Sequence, residues 1–448
     1  MKWLKRILIA LALLLVIAAA LPFLITLNDY LPQIEKVASD RLKEPVTIES
    51  IRLSVWPLPH VMLSGITVGK NHDLKLDRVR VTPDIYSLFQ TTRVIKRIEI
   101  DTLILTQQVI GKIPAWINAD NADHAAQVRV ESIHLNSVWV NSGKVSFGPL
   151  DARVNINSKG EPQDASITAQ DGRLKVFIKS DGASYPFEVS AKSWTLPLGP
   201  ALVFDELLVK GVATLSEVNL SAVHARLYGG MADGRATLSW KKGWRLNGNF
   251  DINRVELQKI VPMLSSKTRI SGKLSAKPLF FASATSADQL VKALRLKTVF
   301  NVQNGVLHGV DIQKAATHLS KQGATGGETR FDNLSGYLVS EGGSHRFTRL
   351  KIASGALAVD GQVNVSPKKE LSGRINAQVS VMGASVGVPL NVAGTVAAPL
   401  LYPTAGTMTG AAIGTVLLGP GVGTSVGAKV GAWAEGLFGK KEENRAKK

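Results

Sequence analysis

The chain has 448 residues, 45% of them hydrophobic, with no cysteine and a formal net charge of +18. The absence of cysteine excludes a disulfide framework, thiol chemistry and cysteine-ligated metal. The two ends, residues 2–6 and 440–448, each carry +3, and the remaining charge is spread without a long basic block. No groove-reading motif accompanies it, so a nucleic-acid partner is not expected. A cationic surface of this kind suits anionic lipid headgroups.

Lys2, Lys5 and Arg6 precede an uncharged apolar run from Ile7 to Leu27. A helix of that length rises about 31 Å, which matches a bilayer's hydrocarbon core. The cations before the run leave the N-terminus in the cytoplasm and everything from Asn28 onward across the membrane. A cleaved signal peptide is the rival reading, with small residues at Ala18–Ala20, but the run continues through Phe23, Leu24 and Ile25 beyond a usual signal core.

After the run, Pro32 to Leu42 places Ile34, Val37, Ala38 and Leu42 on one side of a helix. A pattern of four apolar residues, written Φ-x-Φ-x-x-Φ-x-Φ, then recurs. It begins at Val46, Ile48, Ile51 and Leu53, and continues with Val61, Leu63, Ile66 and Val68. Further copies start at Leu74, Ile98, Val128, Leu202 and Phe250. Each half alternates with period two, as in a strand with one apolar face. The extra central residue reverses the phase, so a bulge or bend there would keep all four on one side and curve the sheet. Asp171-Gly172, Asp181-Gly182 and Asp233-Gly234 read as turns. Short helices are expected at Pro83 to Phe89, after Ser286 (carrying Leu290, Val291 and Leu294) and after Asp311 (carrying Ile312, Ala315, Ala316 and Leu319). From Gly406 the glycines fall four apart, interrupted by Gly419-Pro420-Gly421, and residues 405–439 read as a helical hairpin.

Chemistry-bearing motifs are missing. None of the eight histidines has a metal-ligand partner at H-E-x-x-H spacing. Gly423-Thr424-Ser425-Val426-Gly427 matches a nucleophile elbow by letter only, without strand-to-helix context. No catalytic, metal-binding or cofactor-binding residue is assigned, and the chain is not expected to be an enzyme.

The order of features resembles the AsmA family of envelope proteins. At the start it is carried by Ala38-Ser39, Leu42, Pro45-Val46 and Ile48, then Trp56-Pro57 with Pro59, Ile66-Thr67-Val68-Gly69, and Ile95 to Leu105. Later it is carried by Tyr228-Gly229-Gly230, Gly234, Ile270-Ser271-Gly272-Lys273-Leu274, Asn304-Gly305-Val306-Leu307, Thr329-Arg330-Phe331 and Asp360-Gly361. The resemblance covers about residues 1–105 and 227–403 and departs from the family at Lys43-Glu44 before Pro45. It implies an inner-membrane anchor, a periplasmic body and a role in outer-membrane assembly and lipid homeostasis.

The expected fold is mainly β with a few helices: an N-terminal transmembrane helix, an elongated curved antiparallel sheet or groove, and a glycine-rich helical hairpin. The expected segments are 1–27 (anchor), 28–110 (AsmA-like N-terminal region), 111–226 (central β region), 227–403 (AsmA-like C-terminal region) and 404–448 (hairpin and basic tail). Ile48, Leu53, Leu63, Val68, Val81, Ile100 and Leu105 are the candidate lipid-facing residues, with phospholipid or lipopolysaccharide as ligand. An anchored scaffold for outer-membrane proteins, using exposed strand edges and carrying no lipid, is the alternative. Other envelope proteins are possible partners under either reading.

Overall fold

The computed structural model describes residues 27–410, except 57, 71–73, 107–127, 143–144, 170, 198–200, 265–268, 319–322, 356 and 382–383, together with Ala428 and Ala432. The expected anchor from Ile7 therefore lies outside the described residues apart from its last residue, as does the hairpin beyond residue 410 and the Gly423–Gly427 motif. No described helix is long and apolar enough to cross a membrane. The chain divides into two compact units, Met1–Gly199 and Pro200–Lys448. The expected segment boundary at 226/227 falls inside a strand.

In the first unit, a 3-10 turn (Leu27–Tyr30) leads into α1 (Leu31–Leu42). The helix starts with proline at its first turn and stops at Lys43, whose φ of 55° is left-handed. Four strands follow: β1 (Val46–Ser54), β2 (His60–Val68), β3 (Leu74–Pro83) and β4 (Arg93–Thr106). Between β3 and β4 the expected short helix is a 3-10 turn, Tyr86–Phe89. Next come β5 (Val128–Val130), β6 (Ser132–Ser142), β7 (Val145–Ile156), β8 (Pro162–Ala169), β9 (Leu174–Lys179) and β10 (Tyr185–Thr195). Neighbours pair antiparallel from β1 through β4 and from β6 through β10, while β4 pairs parallel with β5 and β6.

The phase shift within the strands is physical. Gly65, Thr102 and Ser137 take φ of 63°, 56° and 55° at the second intervening position of the pattern in β2, β4 and β6. A left-handed residue inside a strand turns the next side chain back to the face just left, which is how all four apolar residues stay on one side. From β1 to β6 the register is unchanged across these positions: Ile66 and Leu63 oppose Leu76 and Val79, and Ile100 and Leu103 oppose Leu135 and Val138, whereas the β6–β7 pairing shifts between Leu135 and Val138. The shifts therefore lie at the same height on neighbouring strands and form a crease rather than isolated bulges. The copy expected from Val128 to Leu135 is split by Glu131 between β5 and β6. The actual four on β6 are Ile133, Leu135, Val138 and Val140.

The second unit comprises β11 (Val203–Ala213), β12 (Glu217–Leu227), β13 (Gly230–Ser239), β14 (Trp244–Glu256), α2 (Leu257–Leu264), β15 (Ile270–Ala276), β16 (Leu279–Ala284) and β17 (Arg295–His308). It continues through α3 (Ile312–Thr317), β18 (Glu328–Glu341), β19 (Ser344–Ser354), β20 (Leu357–Val365), β21 (Leu371–Val381), β22 (Ala384–Thr395) and β23 (Ala398–Pro403). It is an antiparallel meander in which β15 and β16 share the space between β14 and β17. Arg254, Asn304 and Arg349 repeat the left-handed device, with φ of 56°, 51° and 50°. The core sits toward β17–β23, where Val302, Phe331, Ile375, Ala377 and Leu390 pack beneath Ile312, Ala315 and Ala316 of α3. The Asp311 carboxylate caps that helix by accepting the Lys314 N–H at 2.8 Å.

Three local expectations change. Asp233-Gly234 is not a turn but lies within β13, opposite Asp251 and Phe250. A Cβ at Gly234 would come within 2.5 Å of the Phe250 ring, so glycine there admits an aromatic ring rather than a reversal. The reversal is at Tyr228-Gly229, both left-handed. After Ser286 only a 3-10 turn forms (Ala287–Gln289), and the Ser286 side chain makes no capping bond; Leu290 is buried and Val291 exposed. The stretch after Thr404 begins as helix over residues 405–410, with Thr404 Oγ1 accepting the Thr407 N–H at 3.4 Å.

Candidate functional site: an apolar sheet face

The crease, acting strand by strand, collects the apolar residues of the first unit onto one face. Cross-strand register then aligns them into rows. One row passes from Leu53 on β1 through Val61, Val81, Ile98 and Ile133 to Val154. It continues through Ala165 and Ile178 to Phe187 on β10. A second runs parallel to it, from Ile51 and Leu63 through Ile100 and Leu135 to Val176 and Val189. Every member of the first row is only partly buried, as are all members of the second except the buried Ile51 and Val79. A packed core would seal such residues. Here an apolar strip nine strands wide meets solvent, about 38 Å across at the usual strand spacing.

One corner is sealed. Val46, Ile48, Ile66, Val68 and Val79 pack with Leu31, Ile34, Ala38 and Leu42 of α1. The same helix closes the outer edge of β1. Val46 N–H donates to Ser39 Oγ at 2.9 Å, Ile48 N–H to Glu35 Oε1 at 2.6 Å, and Ile51 N–H to Asn28 Oδ1 at 3.1 Å. Side chains thus take the place of a neighbouring strand, and three N–H groups of an edge are satisfied.

The seven sequence-derived candidates separate accordingly. Ile48 and Val68 are buried in the α1 corner, and Leu63, Val81 and Ile100 are half-buried at its margin. Leu53 lies in the first exposed row, and Leu105 is half-exposed beside Val140 on β6. Sequence reasoning missed the continuation across β6–β10. Its signal was the strict alternation in Leu174-Val176-Ile178 and Phe187-Val189-Ala191.

The opposite face carries a cross-linked polar network, with Ile104 and Phe177 exposed on it as well. Arg80 donates to Glu99 at 2.9 Å, with Arg97 3.6 Å from the same carboxylate. Asn136 donates to Asp101 and Asn155 to Asp164, both at 2.8 Å. His134 sits here between Glu99 and Arg153. Partial burial, then the Arg153 and Arg97 charges, lower its pKa from the ordinary value against the opposing pull of Glu99.

In the second unit two open concavities, of about 300 and 210 Å³, lie at strand ends and are lined by charged groups such as Lys292, Arg295, Lys241 and Lys242. Among the described residues, no group of three or more His, Asp or Glu could hold a metal ion.

Comparison with known proteins agrees with the first unit. No curated protein and no solved structure matches the chain. The family model that does match is that of the AsmA family, over residues 1–147, which include α1, the crease and the strands from β1 into β7. The AsmA-like stretch expected at 227–403 lies outside the matched residues. Over its N-terminal third, residues 1–147, the chain is similar to the AsmA family.

Proposed function

We propose that the chain is a non-enzymatic envelope-biogenesis protein that holds lipid acyl chains against the apolar face of residues 46–191. In this reading Ile7 to Leu27 anchors it in the bacterial inner membrane, with the N-terminus cytoplasmic and the rest periplasmic. The observation that carries the proposal is the row from Leu53 to Phe187, apolar at every strand and left only partly buried throughout. Lipid covering that row would gain about 0.8 kcal/mol for each methylene removed from water. One leaflet's acyl chain spans roughly 15 Å, half the hydrocarbon core, so the strip has room for more than one. The ligand class is phospholipid or lipopolysaccharide. The scaffold alternative needs a free strand edge, and the capping of β1 by Asn28, Glu35 and Ser39 argues against that edge serving.

The test is photo-crosslinking in cells from Leu63, Val81, Ile100, Leu105 and Ile133, with Arg80 and Glu99 on the polar face as controls. Lipid recovered from the apolar sites alone supports the proposal. Crosslinks only within the chain or to other proteins overturn it.

A further inference from the structure

The burial pattern is inverted at one end of the first sheet. In the 3-10 turn Tyr86-Ser87-Leu88-Phe89, the serine is 1% exposed while Tyr86 and Phe89 are 81% and 90% exposed. Ser87 is held by a 2.7 Å bond to the Asp84 carbonyl and itself accepts the Val94 N–H at 2.8 Å. The neighbouring tip, between β1 and β2, repeats the arrangement. His60 is buried with Nδ1 2.7 Å from the Leu58 carbonyl, and Ser54 Oγ donates to the Trp56 carbonyl at 3.2 Å. Trp56 and Leu58 are left 83% and 62% exposed. Both tips thus use a small or polar side chain as the internal fastener and direct the large apolar ones outward.

The two tips lie at the same end of the sheet, beyond the row in which Leu53, Val61, Val81 and Ile98 are neighbours. The chain entering from residue 27 arrives at that end too. Ser39 bonds to Val46, Glu35 to Ile48 and Asn28 to Ile51, so α1 runs antiparallel to β1 and its N-terminal approach lies toward the tips. Tyr30, half-exposed, and the exposed Arg93 belong to the same end.

The geometry points to a membrane-docking surface: Trp56, Leu58, Tyr86, Leu88 and Phe89 seat this end of the sheet in the interface of the bilayer that the Ile7–Leu27 run enters. Exposed aromatic rings on rigid turns suit the headgroup level, where a ring is half apolar and half wet. Arg93 adds a cation for anionic lipid. The occupant is a lipid surface, because the apolar run fixes where a bilayer meets this chain. Docking would set the apolar rows' near end at the membrane. The inference rests on the anchored reading above.

The native chain has no cysteine, so single spin labels can be placed by Trp56→Cys, Phe89→Cys, Lys75→Cys and Leu14→Cys in the full chain. The variants are reconstituted into vesicles of phosphatidylethanolamine and phosphatidylglycerol. Collision with oxygen is compared with collision with a water-soluble nickel chelate. Labels at 56 and 89 should show a several-fold higher oxygen-to-nickel ratio than the label at 75, which sits at the far end of β3, and a lower ratio than the label at 14. A deep label at 14 with aqueous labels at 56 and 89 overturns the docking surface and leaves the anchor standing. An aqueous label at 14 overturns both.

Discussion

Replacing Ile133 by aspartate separates an open apolar face from a sealed core. Ile133 lies mid-row between Ile98 and Val154 and is half-exposed. Fully burying an isoleucine is worth about 1.5–3 kcal/mol, so removing a half-buried one should cost the fold about 1–1.5 kcal/mol. Aspartate at Leu390, which is fully buried in the second unit, instead strands a carboxylate among apolar groups and should exceed 4 kcal/mol. Bound lipid reverses the ranking. A carboxylate at position 133 that displaces about four methylenes forfeits roughly 3 kcal/mol, a loss of about 100-fold in affinity. Urea unfolding measures the first quantity, and mass spectrometry of lipid co-purified with the protein measures the second. The reasoning fails if Ile133→Asp unfolds as readily as Leu390→Asp, or if it keeps the wild-type lipid complement.

Glu35→Ala should leave the Ile48 N–H without its acceptor and lower stability by about 1–3 kcal/mol, while Glu35→Gln retains most of it; urea midpoints compare the two. Light scattering should also detect association of Glu35→Ala through the uncapped β1 edge, and a monodisperse variant would count against the edge-cap role. Gly234→Val should cost about 1–3 kcal/mol, because its side chain must displace the Phe250 ring or bend β13; a neutral result in thermal unfolding would refute the close approach. His134 holds its proton less tightly in the fold than in the unfolded chain. Its contribution is therefore complete above the ordinary histidine value of about 6.5 and is lost as pH falls through that value toward the lowered one. His134→Gln should flatten that part of the stability–pH curve, and an unchanged slope would remove His134 as its source.

Strands β1 to β4 were legible because each carries a phase shift in its apolar spacing. Thr102 and Ser137 supply left-handed residues just where Ile100–Leu103 and Leu135–Val138 break alternation. Helix α1 was legible from its apolar side, although Val37, expected there, is exposed and Leu31 packs instead, and α3 was legible from Asp311, which caps as expected. What escaped depends on partners distant in sequence. Gly234 is conformationally ordinary in β13, and only the Asn249 carbonyl and the Phe250 ring across the ladder explain it. Helix α2 begins at Leu257, read as the last apolar strand position, because the helix follows β14 without an intervening loop. The edge capping of β1 was invisible as well, since Glu35 and Ser39 look like solvent-facing helix residues until β1 is laid beside them. The apolar face itself was half legible: its residues could be named, but their exposure depends on what packs over them.

The crease through Gly65, Thr102 and Ser137 also bears on how such a sheet could grow. Gly65, Thr102 and Ser137 reset the phase of β2, β4 and β6 at one height, so from β1 to β6 the pairing across the crease needs no compensating shift. A duplicated β1–β2 hairpin inserted after β2 would arrive with its apolar residues already in line with those of its neighbours. Widening by gene duplication would then leave the cross-section and both faces intact. Selection could adjust the width of the sheet without redesigning the strands that were there before.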